Sequence, residues 1–222
     1  MMIGSLHTEV APVIAHRGMA DDLDLIEPTL SLWRRSARGA LRPLLRYYER
    51  TEAAKNIGST LLSIAAERGD GRIVDLLPPA PKRFLAARSA FADEIRSLIR
   101  LFATVADTTV VRVKLEVERG DRCRYFHTDR ISLRLLCTYL GPGTEWVPDA
   151  FVDRSALCSG NNAAIVPDPR RVQCLAPFWV GLFKGDLHPE CPGRGNVHRS
   201  PPIGRRRNVP RILLTIDDPR ED

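Results

Sequence analysis

Two side chains able to ligate a metal stand at i and i+2 in the segment Tyr125-Phe126-His127-Thr128-Asp129. On an extended backbone such residues project from one face, about 6 to 7 Å apart along the chain, so an imidazole and a carboxylate at this spacing can reach one ion. A second imidazole, His198, follows much later. Two imidazoles and one carboxylate form a donor set able to hold a divalent cation. Without a metal, Asp129 would simply orient His127 on a strand face, and His198 would be a hydrogen-bonding loop residue in a structural or partner-binding domain. A distance separates the two readings, because imidazoles more than about 8 Å apart cannot share an ion whose bonds to nitrogen are about 2 Å long.

Thiols offer a further possibility. His188 and Cys191 stand at H-x-x-C spacing ahead of His198, and Cys123 precedes His127. Thiolate and imidazole suit Zn²⁺, and a closed site of four such ligands would store, deliver or sense zinc or serve structure. The chain has no C-x-x-C pair, and Cys137 and Cys174 read as small buried hydrophobes. Glu145, beside Trp146, fits either a general base or a sheet-edge salt bridge. Tyr139, Trp146 and Trp179 read as core aromatics.

The elements that must position these residues divide the chain into an N-terminal arm over 1–20, a helical region over 21–106, a β-rich metal-site region over 107–218 and a tail over 219–222. Leu41, Leu44, Leu45 and Tyr48 fall at i, i+3, i+4 and i+7, and Phe84, Phe91, Ile95, Leu98, Ile99 and Phe102 continue a helical stripe. The segments Glu67-Arg68-Gly69-Asp70-Gly71 and Leu77-Pro78-Pro79-Ala80-Pro81 interrupt the helices. After Asp107 the period becomes two. Val111, Val113, Leu115 and Val117 face one way, and Arg112, Lys114 and Glu116 the other. Leu133 to Leu140, Phe178 to Phe183 and Arg211 to Ile216 are further strand candidates, separated by turn-rich stretches. The fold class is therefore α+β, with N-terminal helices packed on a C-terminal antiparallel β-sandwich or barrel.

A chain of 222 residues with 44% apolar content supports a substantial core. No apolar run is long enough to span a bilayer and the start lacks the order of a secretory signal, so a cytoplasmic protein is expected. Five widely spaced cysteines fit reduced thiols better than a disulfide framework. The net charge of +6 comes mostly from scattered arginine. The dense run Arg205-Arg206-Arg207 has no interleaved aromatics and reads as an exposed turn, so no nucleic-acid partner is expected.

The His127-x-Asp129 array, the turn Gly141-Pro142-Gly143-Thr144-Glu145-Trp146, the turn Lys184-Gly185-Asp186, the distal His198 and Arg211 on the last strand together resemble the Fe(II)- and 2-oxoglutarate-dependent oxygenases. The resemblance runs from Arg124 to Ile216. It implies a double-stranded β-helix (jelly roll), an Fe(II) held by His127, Asp129 and His198, and Arg211 pairing with the distal carboxylate of 2-oxoglutarate. It also implies that Thr215 and Tyr139 would join Arg211 at the co-substrate, and that Glu145 would stand with Arg211 and Thr215 in the catalytic set, acting on an unknown substrate. Where many relatives carry Arg-x-Ser, this chain reads Arg211-Ile212-Leu213.

A wider resemblance is to a bacterial domain-of-unknown-function family, numbered eighteen twenty-six. It is carried by Cys123 to Asp129, by Arg134-Leu135-Leu136-Cys137-Thr138-Tyr139-Leu140 with the turn that follows, by the Lys184-Gly185-Asp186 turn, by Val197-His198-Arg199-Ser200-Pro201-Pro202 and by Leu32-Trp33-Arg34. It implies a link to zinc handling through neighbouring genes, which keeps the zinc-binding alternative beside the oxygenase one.

Overall fold

The computed structural model describes residues 21–37, 39–51, 59–63, 72–118, 123–202 and 210–218. The expected N-terminal arm, the Glu67-to-Gly71 break, the Arg205-to-Arg207 run and the 219–222 tail lie outside them.

The helical stripes form where the period places them. Helix α1 (Arg42–Arg50) buries Leu44, Leu45 and Tyr48, and the short α2 (Arg72–Leu76) ends at the proline cluster. The long α3 (Leu85–Val105) buries Phe91, Ile95, Leu98, Ile99 and Phe102. The region read as helical also contains strands β1 (Asp24–Glu27), β2 (Leu30–Trp33) and β3 (Ser59–Ser63). Strands β1 and β2 hold four residues each, too few to display a period, and they form because Pro28 and Thr29 turn the chain between Glu27 and Leu30, which are paired.

The other strands are β4 (Val110–Glu118), β5 (Leu133–Leu140), β6 (Glu145–Val147), β7 (Gln173–Cys174), β8 (Val180–Lys184), β9 (Val197–Arg199) and β10 (Arg211–Asp217), with a one-turn α-helix, α4 (Asn162–Ile165), and three 3-10 turns between β6 and β7. Seven strands make one antiparallel sheet in the order β1-β2-β8-β5-β10-β4-β3, and three make a second in the order β7-β6-β9. The chain is thus a mixed α+β protein with antiparallel sheets.

Alternation on β4, β5 and β10 divides the labour. Val111, Val113, Leu115, Leu135, Cys137, Tyr139, Ile212, Leu214 and Ile216 pack on the helices in the main core. From the opposite face, Leu136 and Leu213 meet Leu30, Leu32, Phe183, Leu175 and Trp146 in a smaller cluster that joins the two sheets. Burial of this many apolar side chains is the principal source of stability, at about 25 cal/mol per Å² removed from water. Among the described residues no helix is long and apolar enough to cross a membrane.

Candidate metal centre

His127 and His198 meet because their backbones pair. The His127 N–H donates to the His198 carbonyl and the His198 N–H to the His127 carbonyl, both at 3.0 Å, in an isolated antiparallel bridge. Residues so paired project to the same side, and Asp129, two positions from His127, shares it. His198 is thus delivered by strand β9 rather than by a loop. The ligand atoms of His127, Asp129 and His198 all lie within 4.8 Å of one another, which removes the objection of distance to a shared ion.

The hydrogen bonds fix which ring nitrogens face the centre. Nδ1 of His127 lies 2.9 Å from the Tyr125 carbonyl and Nδ1 of His198 lies 3.2 Å from that of Asn196. A carbonyl only accepts, so each Nδ1 carries the proton and donates. In the neutral rings both Nε2 atoms then turn lone pairs toward Asp129, at 3.7 Å from Oδ1 for His127 and 3.3 Å from Oδ2 for His198. Burial first, and then the neighbouring His198 ring, push the His127 pKa below its ordinary value, which favours the neutral ring. Burial alone would raise the Asp129 pKa, but its neighbours His198 and Arg134 hold it well below the usual carboxylate range. Asp129 Oδ2 is buried and accepts no aligned hydrogen bond. Two imidazole nitrogens converging on a buried carboxylate match a divalent cation.

Several residues to which the sequence analysis gave no role hold this arrangement. Arg134 stands 2.7 Å from Asp129 Oδ2 and grips Asp217 with two bonds of 2.6 and 2.9 Å. Asp186, in the Lys184-Gly185-Asp186 turn, accepts from the Thr128 hydroxyl at 2.6 Å and from the Gly195 N–H at 2.9 Å. One carboxylate therefore ties the chain between His127 and Asp129 to the stretch that leads into His198. Asn162 accepts from the Phe126 N–H and donates to the Arg124 carbonyl, which secures the approach to His127. Replacing Arg134 with lysine keeps the charge but loses the two-pronged grip. Divalent-metal affinity is expected to fall about tenfold, in the range seen for outer partners of metal ligands. A calorimetric titration in which the variant binds like the wild type would show that Asp129 needs no such support.

The centre opens on a cavity of about 390 Å³ whose walls include His127, His198, Arg134, Arg211, Thr215 and Lys114. Arg211 is only 1% exposed. It donates to Glu118 at 2.6 Å, to Thr144 at 2.7 Å and to the Pro142 carbonyl at 3.0 Å, so Glu118, directly opposite on β4, already occupies one edge of its fork. Gly141, at φ +80°, packs on Arg211, where a Cβ would come within 3.0 Å of its Cα.

Two residues read from sequence as part of the site stand away from this cavity. Tyr139 belongs to the helix-facing side of β5, edge-on to Phe91 with ring centroids 4.6 Å apart, because it alternates with Cys137 rather than with Thr138. Glu145 lies on β6 and accepts from Arg199 of the edge strand β9 at 2.7 Å, the salt-bridge alternative of the sequence reading. The expected zinc corner does not gather either. His188 and Cys191 stand outside the three-residue group, and the Cys191 thiol faces the Gly185 carbonyl at 3.8 Å.

The model of a family described as "Protein of unknown function (DUF1826)" matches residues 26–217. The chain belongs to that family. The range matched in this DUF1826 protein contains His127, Asp129 and His198, the whole small sheet, and all of the large sheet except the first two residues of β1. No match was found among the curated proteins. Among solved structures, the full-length Neurospora crassa T7H in complex with alpha-KG and 5-formyluracil is similar at 12% identity, over 86% of this chain and 74% of that one, with a TM-score of 0.39. A Pseudomonas putida prolyl-4-hydroxylase is similar at 13% identity, over 90% and 91% of the two chains, with a TM-score of 0.40.

Proposed function

We propose that this DUF1826 protein is a mononuclear Fe(II) protein of the 2-oxoglutarate-dependent oxygenase type, with the two facing sheets forming its double-stranded β-helix. The observation that carries the reading is the convergence of two imidazoles and one carboxylate at the wall of a cavity that also holds Arg211 and Thr215. Three protein donors leave positions for exogenous ligands, which separates this centre from a closed structural site. Bound iron would supply the redox chemistry that couples oxidative decarboxylation of 2-oxoglutarate to oxidation of a second substrate.

The chain's own residues account for the rest. His127, Asp129 and His198 hold the metal. Arg134 holds Asp129 in place. Arg211 receives the far carboxylate of 2-oxoglutarate once its terminal nitrogens give up Glu118 and Thr144, with the Thr215 hydroxyl on the same strand face. Binding sets that carboxylate in competition with Glu118 for the guanidinium. A buried arginine removed alone would strand the Glu118 charge, so the informative variant is Arg211→Met combined with Glu118→Gln. It is expected to bind Fe(II) normally and to bind 2-oxoglutarate about 10- to 100-fold more weakly, the loss of a charge-assisted pair.

A closed zinc store or sensor in the same pocket needs a fourth protein donor, and among the described residues none joins the three. The decisive experiment is anaerobic titration of untagged protein with Fe(II), followed by 2-oxoglutarate. Tight Fe(II) binding and a visible charge-transfer band on adding the keto acid are expected. Protein that takes up no iron, or holds zinc with no effect of 2-oxoglutarate, would overturn the proposal.

A further inference from the structure

A second cavity, of about 610 Å³, lies on the helical side of the molecule. Its walls include Arg42, Arg46 and Arg50 of α1, Arg83 from the turn before α3, and the aromatic rings of Tyr47 and Phe84. The four arginines are exposed and no acidic residue lines the cavity among the described residues. Arg42, Arg46 and Arg50 recur every four positions, so they form a row on one helix face with about 6 Å of rise between successive charges. Among the described residues none of these three makes an ion pair, unlike the arginines at the metal centre. The Tyr47 and Phe84 rings lie side by side, centroids 5.0 Å apart and tilted by 33°, with the Arg83 guanidinium 4.9 Å from the Phe84 ring.

We infer that this groove binds a short stretch of single-stranded nucleic acid. A row of guanidinium groups extending about 12 Å along the helix is longer than a lone phosphate requires and suits successive backbone phosphates. The paired rings supply a surface on which a base can stack, and stacking of that kind tolerates any sequence. An acidic peptide would use the arginines but would bring no base to the exposed parts of Tyr47 and Phe84, which are half-buried against the core. The groove departs from the expectation drawn from sequence, because Arg83 and Phe84 stand far from α1 in the chain and only packing brings them beside it. The inference does not depend on the metal centre.

The test is fluorescence anisotropy of the full chain with a labelled oligothymidylate of roughly 12 nucleotides, within the usual site size. Binding is expected to weaken with salt, with a log–log slope of about −0.7 for each phosphate neutralised. The combined variant Arg42→Gln, Arg46→Gln, Arg50→Gln should lose at least about tenfold in affinity and reduce the slope by about 2. Tyr47→Leu should weaken binding with the slope unchanged. Arg170→Gln with Arg171→Gln, exposed residues elsewhere on the surface, should bind like the wild type, as should His127→Ala. No binding by the wild type, or equal losses in the Arg170/Arg171 variant, would overturn the inference. So would polyglutamate or inorganic triphosphate displacing the oligonucleotide at concentrations comparable to unlabelled strand.

Discussion

Replacing His198 with alanine is expected to lower Fe(II) affinity by well over 100-fold while leaving the fold in place. Loss of an outer partner of a metal ligand costs roughly 10- to 100-fold, so loss of a ligand itself costs more. The backbone bridge to His127 survives the substitution, because both of its hydrogen bonds are made by main-chain atoms. The imidazole does contribute to packing, with its ring 5.2 Å from Phe183 and 4.7 Å from His127. Truncation therefore leaves a small void and costs about 1 to 2 kcal/mol of stability. Asp129 keeps Arg134 as a cationic neighbour and does not become an isolated buried charge. Anaerobic titration read beside a thermal melt separates the two effects. A variant that melts nearly like the wild type and still binds Fe(II) tightly would show that the three donors do not act as one site.

Replacing Gly185 with alanine is expected to damage both fold and centre. A Cβ at this position would lie 2.2 Å from the Ile131 carbonyl oxygen and 2.6 Å from that of Asp129, and both are backbone atoms that cannot swing aside. The turn must move away from the segment carrying the metal ligands. That movement stretches the bond from the Asp186 N–H to the Asp129 carbonyl and the one from the Leu187 N–H to the Ile131 carbonyl. It also loosens the Asp186 clasp on Thr128 and Gly195. Overpacking of this severity costs about 3 kcal/mol, which for a chain of this size corresponds to a fall in melting temperature of roughly 6 to 12 °C. Metal affinity should fall with it, because the two halves of the centre are held together through this turn. Gly39→Ala, where a Cβ meets nothing within 4 Å, is the control and should melt within about 2 °C of the wild type. Equal melting of the two variants would show that the turn yields more readily than its contacts suggest.

Local periodicity determined much of this protein. The 3.6-residue stripe places α1 and α3, and the two-residue alternation places β4. The same alternation puts His127 and Asp129 on one side of an extended segment. These features depend only on residues close in sequence, so a single chain displays them.

Tertiary structure decided the rest. Strand β5 is buried on both faces, so its composition does not reveal that Arg134 turns toward the centre while Tyr139 turns into the helical core. The short strands β1, β2, β7 and β9 have no period to read, and they form by pairing with strands distant in sequence or across a tight turn, as β2 does with β8, β7 and β9 with β6, and β1 with β2. Arg211 carries the same residue type whether free or paired, and only the register of β10 against β4 sets Glu118 opposite it. Which imidazole meets His127 was settled by two main-chain hydrogen bonds between segments distant in sequence. Such pairings are selected by the packing of the whole sheet, and no local pattern encodes them.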